Sequence, residues 1–595
     1  MKSAIKKKLF SMNSKTCNCQ NCKTSFIVEP EDFEFYARIK VPPPTFCPEC
    51  RMQRRMAWRN ERLLYKRKDA FGKDTISIYA PNSPFAVYPR DYWWSDAWDS
   101  MSYGREYDFS KPFFLQFREL LEAVPVAGVF SSNVVESPYT NHVGFLKNCY
   151  LTFASWECEG VYYSDKAGYS KDSFDLYLTD KGELCYWVID SIDCYKLFFS
   201  AECSGCADSY FLLDCKNCQN CFGCVGLRNK RYYIFNKPYS KEEYEKKVQE
   251  FDIGSFRNFQ AVLSEFSLFK LNFPHKYARL INTVKVTGNN CVGVKNCFHC
   301  FDMREDVEDS KYVTHGGFGM KDSYDGYGVG ICELLYEGID SGVDGGSKEK
   351  FSVVVYGSRD TDYCFNCANS SDLFGCVGLQ KKQYCILNKQ YTKEEYNELK
   401  AKIVEHMHRM PYIDKNGMSY RYGEFFPIEL SPFAYNETIA QEYYPLTEEK
   451  ASARGYDWIK PDTKERKRTM KAEDLPDHIK NTPDSIAGEH IGCINCKRAF
   501  RILKEELVFL KASGLPLPRQ CPDCRHTMRF SSRNLLTLFH RKCQCAGPQS
   551  SNGVYSNTVS HSHSSNLCPN EFETSYAPER PEIVYCEACY NSEVA

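Results

Sequence analysis

The stretch CYLTFASWECEGVYYSDKAGYSKDSFDLYLTDKGELCYWVIDSIDCYKLFFSAECSGCADSYFLLDCKNCQNCF, residues 149–222, carries an aromatic residue at every twelfth position. Tyr150, Tyr162, Phe174, Tyr186, Phe198, Tyr210 and Phe222 follow one another without a miss, and the residues before them are Cys, Val, Ser, Cys, Leu, Ser and Cys. Short aromatic and β-branched segments, punctuated by Asp, Asn, Gly and Ser at a fixed step, signal a solenoid. Twelve residues suit one strand and one turn, so a coil would hold two such units. A conventional sheet with regular hairpins is the competing arrangement.

Outward from this stretch the pattern is duplicated. FGCVGLRNKRYYIFNKPYSKEEY (222–244) returns as FGCVGLQKKQYCILNKQYTKEEY (374–396). Each copy ends in a capping box, Ser240 with Glu243 and Thr392 with Glu395, so each predicts a short strand entering a capped helix. The second half keeps Tyr312, Tyr324 and Tyr336 on the twelve-residue step and loses it near GIDSGVDGGSKEK (338–350). The expected fold is therefore mainly β: a central right-handed, parallel β-helix-like solenoid in two halves, flanked by small α+β modules.

Eighteen of the 32 cysteines fall in this region. Cys215, Cys218, Cys221 and Cys224, preceded by Cys203 and Cys206, have a spacing that iron–sulfur clusters use. However, Val225 follows where a bacterial ferredoxin run has Pro, and the second half has Ser370 and Leu373 in place of Cys218 and Cys221. Cysteine also packs as a small hydrophobe, which makes inert thiols stacked inside a solenoid the simpler expectation. Asp165, Asp172, Asp175, Asp190, Asp193, Asp208 and Asp214 stud the same region. Paired carboxylates on a solenoid suit carbohydrate chemistry, whereas single aspartates suit turns.

Bulk properties set the frame. The chain has 595 residues, 43% of them aliphatic, aromatic or cysteine, so several folded domains are expected. Tyr and Phe number 41 and 40, favouring β-structure over helical bundles. A formal net charge of −1 gives no long-range steering toward polyanions, which leaves only local patches. The start, MKSAIKKKLFSMNSK, is basic but lacks the apolar stretch of a signal peptide, and no run reaches ~18 apolar residues. Reduced thiols and a cytoplasmic location are the expectation, so paired cysteines read first as metal ligands.

Two such sets stand near the ends. Cys19, Cys22, Cys47 and Cys50 lie in CNCQNCKTSF…TFCPECR, and Cys493, Cys496, Cys521 and Cys524 in IGCINCKRAF…RQCPDCR. The second set repeats the first with 474 added to each number. Four thiolates arranged as two CxxC knuckles close a tetrahedral zinc site with no open position, which makes both sites structural. The parallel continues, RMQRRMAWRNERLLYKRK (51–68) with RHTMRFSSRNLLTLFHRK (525–542) and YAPNSPFAVYPRDYW (79–93) with YAPERPEIVYCEACY (576–590). The second copy adds Cys543, Cys545, Cys586 and Cys589, the expected ligands of a third zinc, with Cys568, His561 and His563 as substitutes or neighbours. The first copy has Asp69, Pro89 and Tyr92 there, followed by Trp93 and Trp94, and would hold its fold by packing. About three zinc ions and no iron are expected per chain.

Each unit resembles a bacterial family of zinc-ribbon domains in Cys19, Cys22, Phe26, Glu31, Phe35, Tyr36, Pro44, Cys47, Pro48, Cys50 and Arg51. The whole chain is similar to large zinc-ribbon proteins of candidate-phyla bacteria, including SPFAYNETIAQEYYPLTEEKA (431–451). That resemblance implies zinc binding and no particular activity.

Arg51, Arg55, Arg59, Arg62 and Lys66 would share one face of a helix leaving the first CPxCR knuckle, with Trp58 beside them. Such a face would follow a phosphate backbone and Trp58 would stack on a base. A surface paired with acidic neighbours inside the protein is the alternative. The second copy keeps Arg525, Arg529, Arg533, Arg541 and Lys542 without the Trp. Walker A, HExxH, GxSxG and Rossmann signatures are missing. His406 and His408, two apart on a helix, point to different faces.

The organisation expected is a ribbon module (1–95), an aromatic junction with a helix at Pro112–Ala123 (96–145), two solenoid halves with capping helices (146–255 and 256–408), a linker segment (409–485) with its charged stretch at 460–480, and a second ribbon module (486–595). Function is read as a non-enzymatic zinc scaffold for nucleic acid. The alternatives are a protein-assembly scaffold and a solenoid enzyme acting on carbohydrate.

Overall fold

The computed structural model describes residues 13–460 and 467–594. The chain divides into two units, Met1–Val129 with Arg279–Ile459 and Phe130–Ala278 with Lys460–Ala595. Each unit holds one large parallel sheet and one end of the chain, so the N-terminal ribbon belongs with the second repeat region and the C-terminal ribbon with the first.

In the first repeat region the strands pair in parallel with the chain twelve residues on, Phe174 with Tyr186, Tyr186 with Phe198, Phe198 with Tyr210, and Phe222 with Ile234, until the last, Arg231–Ile234, turns back on Lys237–Pro238 in an antiparallel pair. One coil is therefore twelve residues, not the two twelve-residue units expected from strand-plus-turn reasoning. The reason is a backbone rule. From Asp172 through Asp175, Leu178, Lys181, Leu184 and Trp187 to Asp190, every third residue has a φ between 44° and 58°. A left-handed residue turns an otherwise extended chain sharply, so four corners close a coil and each side is only three residues long.

The residue after each corner points inward. All ten cysteines of this region, from Cys149 to Cys224, sit directly after a left-handed residue and are buried. They share the interior with Val161, Leu176, Val188, Leu197 and Leu212. A three-residue side leaves a narrow shaft, which small side chains fill to normal density. Inward serines bind the coils together: Ser173 Oγ donates to Lys171 O at 2.6 Å and accepts from Cys185 N, one coil on, at 3.0 Å.

The aromatic ladder lies on the outside of the coils. Phe174, Tyr186, Phe198 and Phe222 are nevertheless buried, under helices that pack over them. Phe509 of helix Lys504–Ser513 covers Phe174 with ring centroids 4.9 Å apart, and Phe251 stacks on Phe222 at 4.4 Å.

The second repeat region is less regular. Lys311 pairs with Tyr324, a step of thirteen, Tyr324 with Tyr336, a step of twelve, and Tyr336 with Lys350, a step of fourteen. The twelve-residue spacing of Tyr312 and Tyr324 is thus not the stacking register. Two adjacent left-handed residues, Glu305 with Asp306 and Phe318 with Gly319, absorb single insertions at corners. The glycine-rich segment absorbs the larger one, with positive φ at Gly342, Asp344 and Gly345.

Each region ends as its sequence suggests. Helices Lys241–Phe251 and Lys393–Arg409 start with complete capping boxes on Ser240 and Thr392. Helix Phe113–Ala123 begins after Pro112. The linker expectation for 409–485 gives way: Tyr420, Phe425, Phe426 and Tyr435 are buried, as are Ala472, Leu475 and Ile479. Their apolar side chains are drawn onto the neighbouring core. Residues 461–466 of the charged stretch, and the N-terminal segment through Met12, lie outside the described residues. Among the described residues no helix is long and apolar enough to cross a membrane.

Candidate metal centres and their docking helices

In the first ribbon, the hairpin Lys15–Asn18 and Ser25–Val28 delivers Cys19 and Cys22, and helix Pro48–Met56 delivers Cys47 at its N-cap and Cys50 in its first turn. All four sulfurs lie within 4.8 Å of one another, as do those of Cys493, Cys496, Cys521 and Cys524. A tetrahedron with Zn–S bonds of ~2.3 Å has S···S edges of about 3.8 Å. Cys22 and Cys47 are 3.6 Å apart, and Cys496 and Cys521 3.7 Å. Both sets fit the ion.

The helix that starts at the second knuckle is the docking element. Arg51 meets Asp325 at two points, at 3.0 and 2.9 Å. Arg55 contacts Asp325 at 3.1 Å and Glu337 at 3.2 Å, and Arg54 joins Glu337 at 2.7 Å to Glu424 at 2.9 Å. Arg59, past the helix end, pairs with Glu61 at 2.8 Å and Asp340 at 3.2 Å. The phosphate-tracking face expected from these residues is overturned. Arg51, Arg55 and Arg59 are 1%, 0% and 4% exposed, and Trp58, 1% exposed, donates its indole N–H to Pro427 O rather than offering a stacking face. Arg62 is half-buried beyond the helix, and Lys66 is exposed on the strand Tyr65–Lys68. Burying this much charge is tolerable only because carboxylates face it.

The second copy docks in the same way on the first repeat region. Arg525 reaches Asp175 at 3.3 Å and Glu506 at 2.6 Å, Arg529 also holds Asp175, and Arg533 holds Asp190 at 2.8 Å. His526 adds Asp165 at 3.0 Å. Phe35 stacks on Tyr324 at 3.9 Å where Phe509, its counterpart, covers Phe174. The acidic partners Asp325, Glu337, Asp340 and Glu424 were not legible as such. Their signal is positional: Asp175, Asp190, Asp325 and Asp340 all occupy left-handed corners. Being engaged by arginine or histidine, Asp165, Asp175 and Asp190 are not a free carboxylate pair for glycoside chemistry.

The third site differs in its ligands from the expected set. Cys543, Cys568, Cys586 and Cys589 come together, with Cys568 3.9 Å from Cys586 and 3.7 Å from Cys589. Cys545 lies instead with His561, His563 and Cys589. The loop that inserts Cys568 is long, and spacing alone does not show where it returns. In the first copy Asp69 stands where Cys543 does, and its Oδ1 accepts from Phe71 N and Lys73 N at 2.9 Å each. Phe71, Tyr88 and Tyr92 pack with centroids 4.8–5.5 Å apart, and Trp93 is fully buried with its indole on Pro125 O. An aspartate turn and an aromatic cluster thus occupy the place of the metal.

None of the groups with metal-site geometry among the described residues includes a cysteine of the coils. Burial pushes the Cys185 and Cys158 thiols up to about 12 and that of Cys149 to about 11, which keeps them protonated at neutral pH. His406 is buried against the Tyr107 hydroxyl at 2.8 Å while His408 is exposed.

Fold and sites together define a mainly β, cysteine-rich protein with buried four-cysteine groups of zinc geometry at both ends. No protein-family model matches the chain, and no curated protein matches it.

Proposed function

We propose that this chain is a non-catalytic, zinc-dependent scaffold built on two right-handed β-solenoids, and that zinc serves to fasten a ribbon module onto each of them. The hand follows the strong preference of parallel β-crossovers. The observation that carries the reading is the fate of the arginines after each CPxCR knuckle. Arg51, Arg54, Arg55, Arg59, Arg525, Arg529 and Arg533 are spent on carboxylates within the protein, so the zinc modules act as clasps and the exposed coil faces are left to meet a partner protein. Kinship with bacterial zinc-ribbon proteins and a reducing, cytoplasmic setting agree with so many free thiols.

The nucleic-acid reading loses its carrier with these arginines, and the carbohydrate reading loses Asp165, Asp175 and Asp190 from its candidate carboxylates. Titration of the zinc-loaded protein with single-stranded and duplex nucleic acid at low salt tests the choice. The scaffold predicts no retention. Tight binding with a steep inverse dependence on salt would restore the nucleic-acid reading.

A further inference from the structure

The C-terminal module contains two ligand groups that share a residue. Cys543, Cys568, Cys586 and Cys589 form one, and Cys545, His561, His563 and Cys589 the other, each with its ligand atoms within 4.8 Å. We infer that this module holds two metal ions of the zinc class, bridged by the Cys589 thiolate. The inference rests on the zinc reading above and adds a second ion to the third site.

The histidines are the decisive feature. A metal-bound imidazole needs its other nitrogen held by an acceptor, which sets the tautomer and aims the ring. His563 Nδ1 lies 2.8 Å from Asn566 O, and its Nε2 faces Cys589 Sγ at 3.4 Å. With Zn–N of ~2.05 Å and Zn–S of ~2.3 Å, a tetrahedral N···S edge is about 3.6 Å. His561 Nε2 lies 2.9 Å from Glu593 Oε1, which leaves Nδ1 for the ion. Glu593 is itself fixed by Tyr555 Oη at 2.9 Å and by Thr558 N and Oγ1 at 2.8 Å. Both imidazoles therefore already have the supporting contacts that ligands require.

The thiolates are supported too. Asn557 Nδ2 donates to Cys545 Sγ at 3.2 Å, and Asn570 Nδ2 to Cys586 Sγ at 3.3 Å. Charge favours the second ion. Four thiolates around one Zn²⁺ leave two net negative charges, whereas five thiolates and two neutral imidazoles around two Zn²⁺ leave one. A thiolate sulfur has lone pairs enough to bind two ions at once. Cys589, 3% exposed and at the start of helix Glu587–Val594, lies between the two groups.

The test is metal counting on the full chain, joined to ¹¹³Cd NMR of the cadmium-exchanged protein. Four ions per chain are expected, two from the ribbons and two from this module, with two of the cadmium resonances coupled through a shared sulfur. The double substitution His561→Ala/His563→Ala should remove one ion and leave three. Three ions in the unsubstituted protein, or three uncoupled all-sulfur resonances, would overturn the bridged centre while leaving the ribbon sites intact. Should the variant misfold, the wild-type spectrum alone decides. A count of two would overturn both ions of this module, and a count of one or none would strike the zinc reading itself.

Discussion

Arg51 and Asp325 lie 274 positions apart in sequence and meet as a two-point buried ion pair, Nε to Oδ1 at 3.0 Å and Nη2 to Oδ2 at 2.9 Å. Arg51 directly follows the metal-site cysteine Cys50, and Asp325 is a corner of a coil, with φ 59°. A single contact therefore ties the metal site to the repeat. In the second copy Arg525 follows Cys524 and reaches Asp175, another corner with φ 57°. Asp340 and Asp190 lie one coil and one corner further on, and they hold Arg59 and Arg533.

Asp325→Asn should cost about 3–5 kcal/mol, because buried Arg51 loses its counter-charge and buried Arg55 is left with Glu337 alone. Asp208 occupies a comparable corner at φ 48° that pairs with no arginine among the described residues, and Asn tolerates that backbone. Asp208→Asn should stay within about 0.5 kcal/mol of the parent. Denaturant midpoints of the two variants, compared at unchanged m-value, check the contrast.

The interior of the coils should accept serine and reject bulk. Ser173 stands directly beneath Cys185 in the stack, so Cys185→Ser keeps size and hydrogen bonding. Cys185→Phe overfills a shaft with sides three residues long and should cost at least about 1–3 kcal/mol. Thermal unfolding of both variants measures the difference.

Stability should also fall in alkali. Burial raises the Cys185 and Cys158 thiols to about 12, above their ordinary value of ~8.5 in the unfolded chain. A raised thiol contributes its stability fully below the unfolded pKa and loses it as pH climbs toward the folded one. Between pH ~8.5 and ~12 each such thiol removes about 1.4 kcal/mol per pH unit. Denaturation midpoints across that window, compared with a Cys158→Ser/Cys185→Ser variant, should show the shallower slope in the variant.

How much of this was legible depends on which residues carry the signal. The twelve-residue aromatic step from Tyr150 to Phe222 reveals the stacking interval, and the capping boxes at Ser240 and Thr392 reveal the ends. The square coil was hidden because its rule is a backbone one. Leu178, Lys181, Leu184 and Trp187 turn corners as Asp172 and Asp190 do, so composition does not expose the triplet. The metal knuckles were legible because zinc demands close-set thiolates, but the arginines beside them were ambiguous. A basic face reads alike whether phosphate or a distant aspartate covers it, and only the fold brings residue 325 to residue 51.

Gly547 tests the loop that carries the histidines. It sits at φ 82°, and a Cβ there would fall 2.0 Å from Ser564 O. Gly547→Ala should therefore displace residues 561–564 and lower the zinc count by one, with the two ribbon sites retained. Metal analysis of the folded variant gives the answer directly.

The clasp itself is most directly tested by amide hydrogen exchange of residues 48–56, with zinc present and after chelation. Held by metal at one end and by Asp325 and Glu337 along its length, this helix should exchange slowly with zinc and approach unprotected rates without it. Unchanged protection after complete zinc removal would contradict the claim that metal fastens the ribbon to the coils.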